Sequence, residues 1–511
     1  MARSTTDSCC LTLPLIVERW QADRLEKRFE LARQIYNSML SDELKRLRYV
    51  EHLPEYKKIS ARMTEIYREG NKQSKEYKQL FQKRKKMLED NEFSKFAFTT
   101  HMKKYYKWCR SNISSMVAQA ISENVWRAFE KYFYSNGKRL HFKKIGSVTT
   151  VAGKGGASGP REIRFKDGYV LWNGLRLKVK LDESNVYEQQ MLEHRIRFCR
   201  ILKKPDRRKN HYYVQFVLEG RPEIKIRPDT GEALHPVGVG RVGIDIGPQT
   251  IAYAAECGAG LRELAEGVGN IEREKRLLQR KLDRSRRATN PNNYNADGTI
   301  RRGVKLTKNK SNRYLAVQRE LAYVYQRQAA MRKQKHIALA NELLALGDTF
   351  FVEDMPWKGL AKKAKKTEIS PKTGKYKRKK RFGKSLGNKA PATLIMILDN
   401  KLKSLGLDGV QKIPTTARAS QYNHITQTYT QKTLSQRWNT MEDGTKIQRD
   451  LYSAFLLQHI NEDNKTFNQQ TLEEDYPAFQ RYHDRVIVQL QNNPHNVASM
   501  GIRSATHKRA E

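Results

Sequence analysis

The chain has 511 residues, with 98 lysines and arginines against 54 aspartates and glutamates, a formal net charge of +44. Self-repulsion on that scale excludes an ordinary globular enzyme and calls for a polyanion; the spread of the charge suits a large nucleic-acid surface better than one tail. The longest apolar runs, such as Leu13 to Val17, are too short to cross a bilayer, and no signal peptide is visible, so a cytoplasmic protein without a membrane role is expected.

The length predicts two to four domains. Residues 11 to 16 read as a first strand. From Val17 the pattern turns helical, with Leu25, Phe29, Ala32, Tyr36 and Leu40 on one face. Residues 54 to 92 are mostly polar and basic. A second amphipathic stretch carries Ile113, Met116, Val117, Ala120, Ile121 and Phe129. These stripes are the core of a helical bundle, and Ser115 and Gln119 lie on the opposite face behind Lys103, Lys104 and Lys107. Gly137 to Gly220 switches to strands: Leu175, Leu177, Val179 and Leu181 alternate with Arg176, Lys178 and Lys180. Val214, Phe216 and Leu218 repeat the pattern, which predicts a half-buried antiparallel sheet with a basic outer face. The glycine-rich run Gly153 to Gly159 lacks the lysine-serine ending of a phosphate loop and reads as a flexible connection.

Val242 to Gly247 reads Val-Gly-Ile-Asp-Ile-Gly, an alternation that predicts a buried strand. Asp245 interrupts it with a carboxylate, which should hold a cation or a cationic side chain because an unpartnered buried charge is costly. Gly247 permits a turn, so Thr250 to Ala255 can return as a hairpin partner. A helical pair follows, with Ile271, Leu278 and Leu282 facing a core. Arg273, Arg276, Arg280, Arg284 and Arg287 fall in one stripe. Either that stripe is a solvated face, partly offset by Glu274 and Asp283, or it lies along a phosphate backbone; the overall charge favours the backbone. Thr289 to Asn312 reads as a mobile loop. The returning helix carries Val317, Leu321, Val324, Ile337, Ala340 and Leu344, and stops at Gly347.

Thr349 to Val352 is a second apolar strand, ending in Glu353 and Asp354. Residues 361 to 384 form a basic insertion containing Lys377, Arg378 and Lys379, too charged to pack and expected to be disordered until nucleic acid binds. A helix from Pro391 to Leu405 and a strand at Val410 to Ile413 follow. Asp450 then opens a helix carrying Leu451, Ala454, Phe455 and Leu457, where a negative charge near the N-terminus is favoured. The five cysteines show no paired spacing, which fits a reducing compartment.

Two acids at strand ends and one at a helix start match a ribonuclease-H-like nuclease core. There, converging carboxylates bind Mg²⁺, and two such ions can activate water and stabilise the leaving oxygen of a phosphodiester. Val-Gly-Ile-Asp-Ile-Gly at 242 to 247, Val-Glu-Asp-Met at 352 to 355 and Arg-Asp-Leu at 449 to 451 resemble the three RuvC motifs of the TnpB family. These are transposon-encoded RNA-guided endonucleases, related to compact type V CRISPR effectors. Leu278 to Arg287 is similar to the family's helix after the first motif.

The resemblance implies an α/β multidomain chain: an RNase H-like RuvC core, an antiparallel β wedge domain and an inserted helical recognition domain. The wedge would begin with a strand at 1–16 and resume at 137–240, around a recognition domain at 17–136. The RuvC core would span 241–411, a target-binding insertion 412–448, and the RuvC C-terminal helix and tail 449–511. It further implies Asp245, Glu353 and Asp450 as catalytic metal ligands, with Asp354 a bystander. Ser115 and Gln119 would read a short DNA motif flanking the target. Mg²⁺ and guide RNA would be the cofactors, target duplex DNA the second partner, and a prokaryotic cytoplasm the setting.

One departure stands out. The family carries a four-cysteine zinc ribbon between the second and third acids, and Arg418 to Asn423 resembles the approach to its first cysteine pair, but Asn423 stands where a cysteine would and no cysteine follows Cys257. With His424 the region's one histidine, no zinc is expected there. Packing of Tyr422, Tyr429, Leu434 and Trp438 should hold the insertion instead. Two rivals share the fold: an RNA-guided repressor that does not cut, which would have no need of three acids, and a cut-and-paste transposase, whose usual acid order ends in Glu rather than Asp.

Overall fold

The computed structural model describes residues 7–502 except 136, 138, 155–158, 160, 208, 363–366, 372, 373, 375, 377–381, 434 and 494–497. The chain divides into two compact units, Met1–Glu223 and Ile224–Glu511, of mixed helix and sheet.

The first unit opens with β1 (Ser8–Ile16), which buries Cys9, Leu11, Leu13 and Leu15 at alternate positions. Helix α1 (Arg19–His52) buries Leu25, Phe29, Ala32, Tyr36 and Leu40, the stripe its periodicity predicts. The polar stretch after it is also helical. Helix α2 (Pro54–Arg68) buries Tyr56, Ile59, Met63 and Ile66, while α3 (Lys75–Asp90) buries only Leu88. Helices α4 (Lys95–Tyr106) and α5 (Ser115–Tyr134) complete the bundle. Its aromatic centre includes Phe98 and Phe129, ring centroids 5.3 Å apart, and Phe93 and Phe133 at 5.5 Å.

The strands β2 (Thr150–Ala152), β3 (Arg164–Lys166), β4 (Tyr169–Trp172) and β5 (Leu175–Val179) come next. After the short helix α6 (Val186–Glu193) follow β6 (Ile196–Pro205) and β7 (Asn210–Glu219). They form one sheet in the order β2-β6-β7-β1-β5-β4-β3, so the first strand of the chain lies at its centre. Leu175, Leu177 and Val179 are buried between exposed Arg176 and Lys178, as the alternation predicts; Leu181 lies past the strand and is exposed. The buried guanidinium of Arg28 joins α1 to this sheet by donating to the carbonyl oxygens of Trp172 and Asn173, the latter at 2.6 Å.

The second unit is built on a five-stranded sheet. Strands β8 (Arg241–Ile246), β9 (Thr250–Ala255) and β10 (Gly258–Glu263) form an antiparallel meander. The hairpin α7 (Glu272–Thr289) and α8 (Asn312–Leu344) leads to β11 (Thr349–Glu353), parallel to β8. Short helices α9 (Trp357–Leu360) and α10 (Gly383–Lys389) precede α11 (Pro391–Ser404) and β12 (Gln411–Ile413), which extends the sheet in parallel. Two small ribbons follow, β13 (Tyr422–Asn423) with β14 (Thr428–Tyr429), and β15 (Trp438–Thr440) with β16 (Lys446–Gln448). Helices α12 (Arg449–Gln458) and α13 (Gln469–Gln491) close the unit.

The sheet order is β10-β9-β8-β11-β12. Strand alternation sends Val242, Ile244, Ile246, Phe350 and Val352 into a core shared with Leu339 and Leu343 of α8 and Leu394 and Leu398 of α11. Ala252, Ala254 and Phe351 face the other way, into a core with α12 and α13. The sheet therefore lies between two helical layers. In the segment 290–311, which the sequence reads as a mobile loop, two side-chain amides bond across from one limb to the other. Asn290 and Asn293 are buried and bond the returning chain at Asn309 and Thr307. Turn-forming residues signal the loop, but the sequence does not show which amides are used inside it.

Candidate active site

The same alternation that points Val242, Ile244 and Ile246 to one face puts Gly243 and Asp245 on the other, beneath α12. On β11, Phe351 and Glu353 share that face. Val352 pairs with Ile244 in the parallel register, so one residue further along Glu353 stands beside Asp245. Asp450 lies in the first turn of α12, which is buried along its length. The Gln448 side chain caps that turn, its Oε1 accepting from the Leu451 amide at 2.8 Å. Contact between helix and strand is close because Gly243 has no side chain; a Cβ there would overlap the backbone of Ala454 and Gln458. At the far end, Arg241 Nε donates to the Gln458 carbonyl at 2.8 Å.

Burial pushes the Asp245 carboxyl well above the usual carboxylate range, and the negative charges of Asp450 and then Glu353 push it further. The Ser453 hydroxyl and the Arg449 guanidinium act in the opposite direction. Burial also raises Glu353. Asp450 is drawn toward cations: Arg449 Nη2 is 3.0 Å from Oδ1, and Arg437 Nη1 is 3.5 Å from Oδ2. Arg449 is itself held by the Gln436 carbonyl at 2.8 Å. Among the described residues no three His, Cys, Asp or Glu side chains close around one point. The three acids are neighbours in an electrostatic sense, with the arginines partly offsetting their charge. Three carboxylates supply only hard oxygen donors, a set whose chemistry fits Mg²⁺. Asp354 points to the opposite face, with Lys412 Nζ 3.7 Å from its Oδ1. A cavity of about 410 Å³ opens beside Glu353, lined also by Ile246, Met355, Trp357 and Lys412.

Sequence reading missed Gly243, Ser453, Arg449 and Arg437. Ser453 had a signal, since three residues after Asp450 is the same face of a helix. Gly243 had one too, two residues before Asp245 on the same strand face. Arg437, thirteen positions upstream in an irregular segment, had none.

The insertion between the second and third acids is held by aromatic packing. Tyr422 stacks on Phe467 with centroids 4.9 Å apart and meets Tyr429 at 5.0 Å. Trp438 donates to the Gly501 carbonyl at 2.9 Å; Leu434 lies outside the described residues. Asn423 Oδ1 accepts from the Ile425 amide at 3.0 Å and fixes a tight turn. His424 is buried, with Nδ1 2.6 Å from the Tyr452 hydroxyl.

All five arginines of the α7 stripe are exposed. Glu274 lies 3.8 Å from Arg327 of α8, and Asp283 pairs with Arg286 and Arg287, so these acids touch only the end of the stripe. Ser115 and Gln119 belong to the first unit and have partners inside it. Ser115 Oγ donates to Glu162 at 3.5 Å, and Gln119 Oε1 accepts from Lys154 at 3.1 Å. Lys377, Arg378 and Lys379 lie outside the described residues. Among the described residues no helix is long and apolar enough to cross a membrane, and all five cysteines are free thiols.

No protein-family model and no curated protein matches the chain. Solved structures resemble it, two of them as follows. One is a cryo-EM structure of a Cas12f1–sgRNA–target DNA complex, with TM-score 0.40 and 10% identity over 88% of this chain and 84% of that one. The other is a cryo-EM structure of a CRISPR-Cas12f ternary complex, with TM-score 0.26 and 10% identity over 88% and 83%.

Proposed function

We propose that the protein is an RNA-guided, Mg²⁺-dependent DNA endonuclease with a single RuvC-type active site, of the TnpB type and akin to compact type V CRISPR effectors. One observation carries this reading: Asp245, Glu353 and Asp450 come from two adjacent parallel strands and the first turn of the helix laid across them, on one face. A core packed only for stability would not bury Asp245 where the charges of Asp450 and Glu353 raise its proton affinity further.

In this reading the three acids hold Mg²⁺, which when bound supplies Lewis-acid activation of water and charge stabilisation at the phosphodiester. Ser453 and Arg449 favour the ionised form of Asp245 against the effect of burial. Arg437 and Arg449 hold the Asp450 carboxylate at the mouth of the site. The formal charge of +44 serves backbone binding, while base pairing with the guide selects the target and protein contacts read a short flanking motif. The test is to sequence RNA that copurifies with the protein, then assay cleavage of a duplex matched to that RNA with and without Mg²⁺. One structured RNA species and matched, Mg²⁺-dependent cleavage are expected. A preparation that carries no defined RNA and cuts no matched duplex would overturn the reading.

A further inference from the structure

The five-stranded sheet grows in two directions from one point. After β8 the chain adds β9 and β10 on one side, then returns to add β11 and β12 on the other, giving the order β10-β9-β8-β11-β12. Strands β8 and β11 are parallel neighbours, and they end together, at Ile246 and at Glu353. In open α/β sheets the crevice outside the carboxyl ends of such a diverging pair is where ligands bind. The cavity of about 410 Å³ beside Glu353 lies at this point and is lined by both strand ends. Its size falls within that of small-molecule sites, about 300–1,000 Å³.

The lining shows what kind of group would enter. Its walls are apolar: Ile246 from β8, Trp357 from α9, and Ile395 and Met396 from α11. Met396 is 55% exposed, an apolar side chain left without a core to fill. The charges cancel in pairs. Lys412 Nζ lies 3.7 Å from Asp354 Oδ1, and Lys403 Nζ lies 2.8 Å from Asp399 Oδ2. Glu353 is left over, so this lining is net negative in a chain whose formal charge is +44. Carboxylates repel phosphate, which argues against an anion or a stretch of nucleic-acid backbone here. A neutral, planar group with apolar faces and a polar edge fits instead. Its faces would meet Trp357 and Met396, and its edge the two Asp–Lys pairs, which present donors and acceptors alike. A nucleobase is such a group.

Resting on the nuclease reading above, we propose that this cavity holds one unstacked nucleobase of the DNA strand being cut, beside the scissile phosphodiester, and that Trp357 positions it. Glu353 belongs to both places: it shares a sheet face with Asp245, and it lines the cavity. A strand whose backbone passes the acids can therefore turn a base around the end of β11. Seating that base fixes which phosphodiester faces the acids. Stacking on an aromatic ring accepts any base, so the cut position is set without reading sequence.

The test uses the full chain with its copurified guide RNA and a matched duplex whose cut site has been mapped. A series of duplexes carries one abasic nucleotide each, stepped across that site. In the parent, one position should slow single-turnover cleavage about tenfold and scatter the cut over neighbouring phosphodiesters. Trp357→Ala should be comparably slow on the intact duplex, and the abasic nucleotide should then cost less than about twofold more. Trp357→Phe should cut much as the parent does. Met396→Ala, at an exposed position where folding is not at stake, should show a smaller loss with the same non-additivity. A fluorescent adenine analogue at that position, read without Mg²⁺, should respond differently in the parent and Trp357→Ala complexes. The proposal is overturned, with the nuclease reading intact, if no abasic position slows the parent, or if the abasic loss is undiminished in Trp357→Ala and Met396→Ala. Equal fluorescence in the two complexes would overturn it as well. A parent that cuts no matched duplex would instead overturn the nuclease reading itself.

Discussion

Gly243 of β8 lies directly against the carbonyl of Ala454 in α12, so closely that any side chain at 243 would occupy the helix backbone. Backbone cannot rotate aside as the end of a flexible side chain can. Gly243→Ala must therefore push α12 off the sheet and carry Asp450 away from Asp245. Destabilisation of about 1–3 kcal/mol or more is expected, together with loss of cleavage. Gly258→Ala is the control, since a Cβ there meets nothing within 4 Å. Urea unfolding of the two variants checks the claim; equal stability would show that the helix can move without cost.

The two strands carrying acids and the helix carrying the third were legible because each has a short-range signal. Period-two alternation fixed which residues of Val242 to Ile246 share a face, and Asp450 stood at a helix start. That the strands carrying Asp245 and Glu353 lie side by side was not legible from periodicity, because parallel pairing of β8 with β11 joins residues about a hundred positions apart; the expectation that the three acids share a site came from resemblance to a family. The side chains that hold Asp450 were illegible for the same reason. Arg437 reaches it from a segment whose course depends on Tyr422, Phe467 and Trp438 packing, none of which follows a repeat. Polar composition hid α2 and α3, since a helix with one narrow buried stripe looks like a charged linker.

Acid should loosen the C-terminal unit in a defined window. Burial holds the imidazoles of His424 and His459 down at about 4, against about 6.5 for an exposed histidine. Between those values each of these histidines binds more protons in the unfolded chain than in the native one, so its contribution to stability rises with pH through the window and falls as pH drops from about 6.5 toward 4, while the raised carboxyls of Asp245 and Glu353 act in the opposite direction. Each histidine contributes up to about 3 kcal/mol to that fall. Denaturant unfolding at pH 7.5 and pH 5 measures it. His459→Gln should shrink the difference between the two pH values, whatever it does to absolute stability; an undiminished difference would assign the effect to net charge.

The insertion should fold without zinc. Residues 412 to 449 contain no cysteine, and Tyr452 occupies Nδ1 of His424. Elemental analysis should find far less than one zinc per chain, and a zinc-selective chelator should leave the unfolding midpoint unchanged. Tyr422→Ala, by removing the ring stacked on Phe467, should cost about 3 kcal/mol. Stoichiometric zinc would mean that ligands lie elsewhere in the chain.

The arginine stripe of α7 should bind backbone rather than bases. Changing Arg276, Arg280 and Arg284 to Ala should weaken nucleic-acid binding with little change in sequence preference. It should also reduce the logarithmic salt slope by about two to three. Filter binding across a salt series reads both quantities. An unaltered slope would leave the stripe a solvated face.

Asp245, Glu353 and Asp450 carry the sharpest expectation. If they hold one metal centre, each single change to Ala should remove nearly all cleavage. The three effects should not add, because any one loss dismantles the same site. Guide and target binding should survive, since affinity comes from basic surfaces and base pairing. Asp354→Ala is the internal control: its carboxylate pairs with Lys412, and it should cut like the parent. Ser453→Ala should fall between, lowering cleavage severalfold, because the hydroxyl supports Asp245 without holding the metal itself. The assay is cleavage of a guide-matched duplex in Mg²⁺, with binding measured on the same proteins. Full activity of Asp450→Ala would remove the helix residue from the site. Loss of binding with cleavage in all three would assign the acids to the fold, and the nuclease centre would have to be sought elsewhere.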